Sequence, residues 1–244
     1  MKKFVLFYLL FASVSLRAQD PLIPAKRVVS SKWIKNDGYH MTWYMLKDTA
    51  RFEMGKVSTE MIRSKSSLTV ITQVQLKSMK SPWIDSTIAD IKTLKPIRHS
   101  SYNMQRDMVL DFGRNVQVYY KDKLKKKEYS LTDTLQGSCF DSNLYPLLLG
   151  WLPLKNGYQQ RIAIYDYNPK AKSGLLNATV QDVQSGIYES ELSGTRPVWI
   201  VRVTDEIGNG ENGTSTYYFD KEDRRLWKQE IAVNGRNMLM KRVE

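Results

Sequence analysis

Apolar and polar residues alternate with a period of two over most of the chain, and helical spacing shows once. Tyr39, Met41, Trp43 and Met45 share one face of a strand, with His40, Thr42 and Tyr44 on the other. Leu68, Val70, Val74 and Leu76 line one side of a longer strand, opposite Thr69, Gln73, Gln75 and Lys77. Val116 with Val118, and Ile162 with Ile164, keep the same period. The end of the chain is clearest: residues 198–204, 214–220, 226–233 and 238–243 read as four sequential strands. Residues 208–213 close the first of these hairpins, and 220–224 form a charged turn. Asn234-Gly235 supplies two centres that tolerate the positive φ of a type I′ turn. The pattern predicts a mainly all-β chain, a large antiparallel meander curved into a barrel or half-barrel.

The exception is residues 140–153, FDSNLYPLLLGWLP. Leu144, Leu147, Leu148 and Trp151 recur at i, i+3, i+4 and i+7, the apolar stripe of one short helix near 144–150. Asn143 is placed to cap its start, Pro146 falls in the first turn where a missing N–H costs little, and Gly150 with Pro153 ends it. Such a helix among strands either fills the core or shapes a ligand pocket.

The N-terminus adds an address. Lys2 and Lys3 precede an apolar stretch over 4–14, and Ala18 offers the small residue before a cleavage point at Gln19. The stretch is too short for a membrane anchor, which takes about 20 residues. No cysteine follows it to carry a lipid. The expectation is a cleaved signal peptide over 1–18, a leader over 19–29 with Pro21 and Pro24, and a single β-rich domain over 30–244. Two packed β layers split near residue 155 are the alternative. The mature protein is then soluble, in the periplasm or outside the cell, and has no transmembrane segment.

Composition narrows the chemistry. A 42% hydrophobic chain is unlike a disordered one. Cys139 is the only cysteine, so no internal disulfide is available and the residue reads as a small buried hydrophobe. The net charge of +12 falls to +9 when Lys2, Lys3 and Arg17 leave with the signal. That surplus favours anionic lipid or polysaccharide, and the absence of a recognition-helix or zinc-finger pattern argues against nucleic acid. His40 and His99 lie far apart outside any metal-ligand spacing, and neither a Gly-x-Ser-x-Gly elbow nor a phosphate-cradling loop is present, so no metal or cofactor is expected. Asp133, Asp141, Asp166, Asp205 and Glu206 stand near strand ends, where a carboxylate pair remains the one catalytic option. Lys121, Lys123, Lys125, Lys126 and Lys127 form a basic run that reads as a protected sheet edge or as a patch for an anionic envelope polymer. Three triplets, at 48–50, 85–87 and 133–135, resemble an O-glycosylation acceptor of exported Bacteroidetes proteins.

Several stretches together resemble a known family. They are TLKP at 93–96, DMVLDF at 107–112, FDSNLYPLLLGWLPLKNGY at 140–158, and VWIVRVTDE followed by TYYFDKEDRRLWKQE. Their order resembles the exported bacterial family called domain of unknown function 3108, as found in Bacteroidetes, over roughly 30–243. The resemblance implies an antiparallel barrel or half-barrel in the cell envelope and implies no activity. The closing meander is also similar to outer-membrane lipoprotein carriers, which hold lipid chains in a curved sheet.

Three functions follow from this reading. The first is a non-catalytic envelope protein that binds lipid or another amphipathic ligand in an apolar β cavity walled by Leu144, Leu147, Leu148, Trp151, Trp43 and Trp199. The second is an interaction module for anionic polysaccharide or an outer-membrane partner. The third is a carbohydrate-active hydrolase with two strand-end carboxylates.

Overall fold

The computed structural model describes residues 20–25, 28–208 and 213–244. The expected signal over 1–18 lies outside them, as does most of the 208–213 loop. The strands, in chain order, are β1 (Asp37–Lys47), β2 (Ala50–Arg63), β3 (Ser67–Leu76), β4 (Trp83–Asp90), β5 (Pro96–Tyr102), β6 (Arg106–Phe112), β7 (Val116–Asp122), β8 (Lys127–Asp133) and the two-residue β9 (Phe140–Asp141). Then follow helix α1 (Tyr145–Trp151), β10 (Gln160–Asp166), β11 (Gly174–Ser190), β12 (Gly194–Asp205), β13 (Gly213–Asp220), β14 (Leu226–Val233) and β15 (Arg236–Arg242).

All fifteen strands belong to one sheet, ordered β8 back to β1, then β15 back to β9. The first and last long strands therefore meet at its centre, with Met41 opposite Arg242 and Leu46 opposite Asn237. Every pairing between named strands is antiparallel except the short β9–β10 contact.

Three hairpins share one turn, and the sequence shows why. In each an aspartate side chain folds back on the following backbone. Asp90 Oδ1 accepts from the Lys92 and Thr93 amides, Asp122 Oδ1 from Leu124 and Lys125, and Asp220 Oδ1 from Glu222. Four residues after each aspartate the chain turns left-handed, at Leu94, Lys126 and Arg224, with φ of 60°, 52° and 66°. Asn234 and Gly235 take φ of 50° and 68°, as the type I′ reading requires.

The sheet does not close by main-chain hydrogen bonds. It rolls until its ends overlap, with β9 and β10 inside the arc of β4–β8. Ile162 and Ile164 of β10 join the central core with Leu144 and Leu148. The opposite face of β10, with Ala163 and Tyr165, packs on Met108, Leu110, Val116 and Val118 of β6 and β7. Side chains complete the seam: Tyr165 Oη donates to Asp133 at 2.7 Å, and Tyr129 and Tyr167 hydroxyls lie 3.2 Å apart. The free edge of β10 is shared between β9 and the leader, where Leu22 bridges Ile162.

Helix α1 runs inside the roll. It begins and ends one residue later than its apolar stripe suggests, and two expectations about its ends are corrected. Asn143 does not cap it; the helix start has no side-chain cap. Asp141 instead accepts from the Asn143 amide, and Asn143 turns its amide group to Thr87. Gly150 does not end the helix but lies within it. A Cβ there would stand 2.9 Å from the Phe219 ring, so glycine lets α1 close onto β13.

Candidate functional site

In an up-and-down meander alternate turns fall at the same end, and here the two ends of the roll carry cavities of opposite chemistry. Helix α1 separates them: Pro146, in its first turn, lines one, while Trp151 and the following Leu152 and Pro153 line the other. The middle is solid. Leu144, Leu148, Leu149, Phe140 and Ile164 are fully buried in a continuous core.

The first cavity, of about 860 Å³, lies at the end bearing the β3–β4, β5–β6 and β10–β11 turns. Trp83, Asp85, His99, Arg106, Tyr120, Asp122 and Asp166 are among its lining residues. Beneath it sits a buried network that joins both ends of the sheet. Thr87 of β4 donates to Asp141 Oδ1 at 2.5 Å, and His99 Nδ1 of β5 lies 3.1 Å from Oδ1 and 3.0 Å from Oδ2. Burial alone would discharge the imidazole. The Asp141 charge and hydrogen bond, with Asp85 and Asp166 adding, outweigh that and hold His99 above its ordinary value. Asp85 and Asp166 are both pushed up by burial; Trp83 and Ser101 partly stabilise the first carboxylate, Ser142 the second, and Asp141 raises Asp166 further.

The second pocket, of about 1020 Å³, lies at the end bearing the β2–β3, β4–β5 and β13–β14 turns. Its walls include Val28, Val29, Trp33, Ile34, Leu94 and Trp151. Its polar residues are three serines and five cations, Lys32, Arg63, Lys65, Lys92 and Arg224, with no carboxylate among them. Lys32 Nζ and the Arg224 guanidinium lie over the Trp33 ring, at 4.2 and 5.0 Å from its centre. Burial lowers the Arg224 guanidinium, opposed by the charge of Asp220.

The residues singled out in the sequence are dispersed by the fold. Of the six expected wall residues only Trp151 lines either cavity. Leu144 and Leu148 sit in the core, and Leu147 and Trp199 pack against it. Lys221 Nζ lies 4.2 Å above the Trp199 ring. Trp43 is half-buried, with its indole nitrogen unpartnered. The basic run folds as the β7–β8 hairpin: Lys121 is the last residue but one of β7, Lys123, Lys125 and Lys126 make the turn, and Lys127 begins β8, the outermost strand. Lys121 pairs with Glu128 at 3.4 Å and Lys123 with Asp107 at 2.6 Å.

Of the strand-end acids, Asp166 faces the first cavity and Asp141 lies behind it. Asp133 and Asp205 each accept from a tyrosine, Tyr165 and Tyr145, and Glu206 pairs with Lys172. His40 remains apart from His99, on β1. Cys139 is buried and free, its thiol pushed up to about 12 by burial, then by Asp141, against Lys95. Among the described residues no three His, Cys, Asp or Glu side chains gather so as to hold a metal ion, and no helix is long and apolar enough to cross a membrane.

A rolled, unclosed antiparallel sheet with a helix inside defines a β-barrel-like protein. The chain belongs to the family described as protein of unknown function (DUF3108), whose model matches residues 38–241. Among solved structures it is similar to the beta-barrel-like protein of domain of unknown function DUF1849 from Brucella abortus. That likeness has a TM-score of 0.56 and 13% identity, and covers 90% of this chain and 98% of the other. It establishes the shared fold. No curated protein matches the chain.

Proposed function

We propose that this is an exported, non-catalytic envelope protein that holds an amphipathic ligand in the pocket at the Trp151 end of the roll. The observation that carries this reading is the pocket itself, apolar in its walls and open where the turns meet. Its volume lies at the upper end of the roughly 300–1,000 Å³ typical of small-molecule sites. The ligand site is thus moved from the sheet interior, which side chains fill, to the end of the helix. Native mass spectrometry of protein isolated from its own host is expected to find co-purifying lipid, and a Trp151→Ala variant to carry less. Repeated preparations free of lipid would count against the proposal.

A second reading is favoured by one observation at the opposite end. Two carboxyls raised by burial, Asp85 and Asp166, line one cavity with His99 and Trp83. Perturbed acids beside an aromatic ring are a setting for glycoside hydrolysis. If so, the protein releases reducing sugar from envelope polysaccharide and Asp166→Asn loses at least about a hundredfold of that rate, as removal of a general acid or base entails. No release by the unaltered protein leaves this reading without support.

A further inference from the structure

We infer that the pocket at the Trp151 end selects amphiphiles with an anionic head group, held at Arg224 and drawn in by Lys32, Arg63, Lys65 and Lys92. The inference rests on reading that pocket as an amphiphile site and adds what the ligand must carry.

Charge complementarity is the argument. Some cations elsewhere on the described surface find acids, as Lys77 does with Glu53 at 3.2 Å and Lys228 with Glu230 at 2.9 Å, while others stand alone as the pocket's do. None of the five pocket cations forms an ion pair among the described residues. Four of them stand exposed, where they raise the local potential and attract an anion from solution. Arg224 is half-buried, and its Nε and Nη1 are buried without a hydrogen-bond partner. Buried donors of this kind almost always have a partner, and a guanidinium suits a phosphate or carboxylate. The nearby carboxylate, Asp220, is already engaged by Arg196 Nε at 2.9 Å and Trp227 Nε1 at 3.0 Å. Arg224 thus adds a charge to a pocket whose walls suit an alkyl chain.

The test titrates the purified full-length mature protein with lysophosphatidylglycerol and lysophosphatidylcholine of one acyl chain. Both are kept below their micelle concentrations and followed by calorimetry, with glycerol 3-phosphate as a chainless control. The glycerol lipid is expected to bind about tenfold tighter or more, a margin set by charge-assisted hydrogen bonds. Arg224→Met should abolish that margin by weakening the glycerol lipid much more than the choline lipid, and added salt should shrink it. Should Arg224→Met fail to fold, the exposed double variant Lys65→Gln, Lys92→Gln is expected to narrow the margin several-fold. Equal binding of the two lipids overturns the head-group inference but leaves the pocket reading standing. Binding of neither lipid overturns the pocket reading itself. Glycerol 3-phosphate binding as tightly as the lipid would make the site a phosphate site and overturn the role of the chain.

Discussion

Replacing Asp141 by alanine is expected to cost about 3–5 kcal/mol of folding free energy, the range for breaking a buried charged pair from one side. Asp141 is fully buried on the two-residue strand β9. It accepts from Thr87 on β4, from the Asn143 amide that leads into α1, and contacts His99 on β5. Those partners belong to opposite halves of the sheet, so the carboxylate links the overlap. Without it, His99 and the Thr87 hydroxyl lose their acceptor in a place water does not readily reach. Urea denaturation followed by tryptophan fluorescence measures the loss; a midpoint equal to the unaltered protein's would contradict it. Asp141→Asn keeps the shape and should lose less.

The same pair carries a pH signature. Because folding raises the His99 pKa, its contribution to stability is complete below the ordinary imidazole value of 6.5. It is lost as pH rises through the higher folded value. Stability contributed by His99 should therefore decline as pH rises above 6.5, and the decline should flatten in Asp141→Asn. Nuclear magnetic resonance of the His99 ring gives a direct check, since titration below 6.5 in the folded protein would contradict the pairing.

Gly55→Ala is expected to be severe, on the order of 3 kcal/mol or more, at the upper end of overpacking effects. A Cβ on Gly55 would stand 2.1 Å from the Gln75 carbonyl oxygen and 2.7 Å from the Leu76 Cα. Both are backbone atoms of the neighbouring strand and cannot rotate away. The position coincides with the irregularity in the β1–β2 ladder, where Trp43 faces Gly55 but Tyr44 faces Glu53. Gly186→Ala makes an informative comparison. Its Cβ would meet the Ile200 Cδ1 at 2.5 Å, the far end of a flexible side chain that can give way. Thermal unfolding should rank Gly55→Ala well below Gly186→Ala; equal losses would contradict so close an approach of β2 and β3.

How much of this was legible depends on where the information lies. The C-terminal meander could be read because its turns are local: Asn234-Gly235 and the 220–224 turn punctuate strands with clear alternation. Helix α1 could be found from its apolar stripe, but not its capping, since the partner of Asn143 is Thr87, 56 positions away in the chain. β4, WIDSTIAD, mixes polar and apolar residues without clean alternation because Thr87 and Asp85 turn toward a polar network rather than an oily core. The cationic pocket draws on residues from Ala25 to Arg224, with no shared spacing to betray it. A usable signal did exist. Arg63 ends β2 and Lys65 sits in the β2–β3 turn, Lys92 in the β4–β5 turn and Arg224 in the β13–β14 turn. In an up-and-down meander these turns share one end. The charges of alternate hairpins can be grouped before any coordinates are known, once the strands between them are all recognised.

Because β1 zips to β15 in the middle of the sheet, neither half has its central neighbour until β15 has been made. A polypeptide still emerging from a ribosome, or threading a narrow pore, lacks the seven residues of that last strand. Its half-built ribbon then has a bare margin where the roll should be continuous, and contacts so distant in the chain form late. The middle of the sheet sets only once β15 has joined β1.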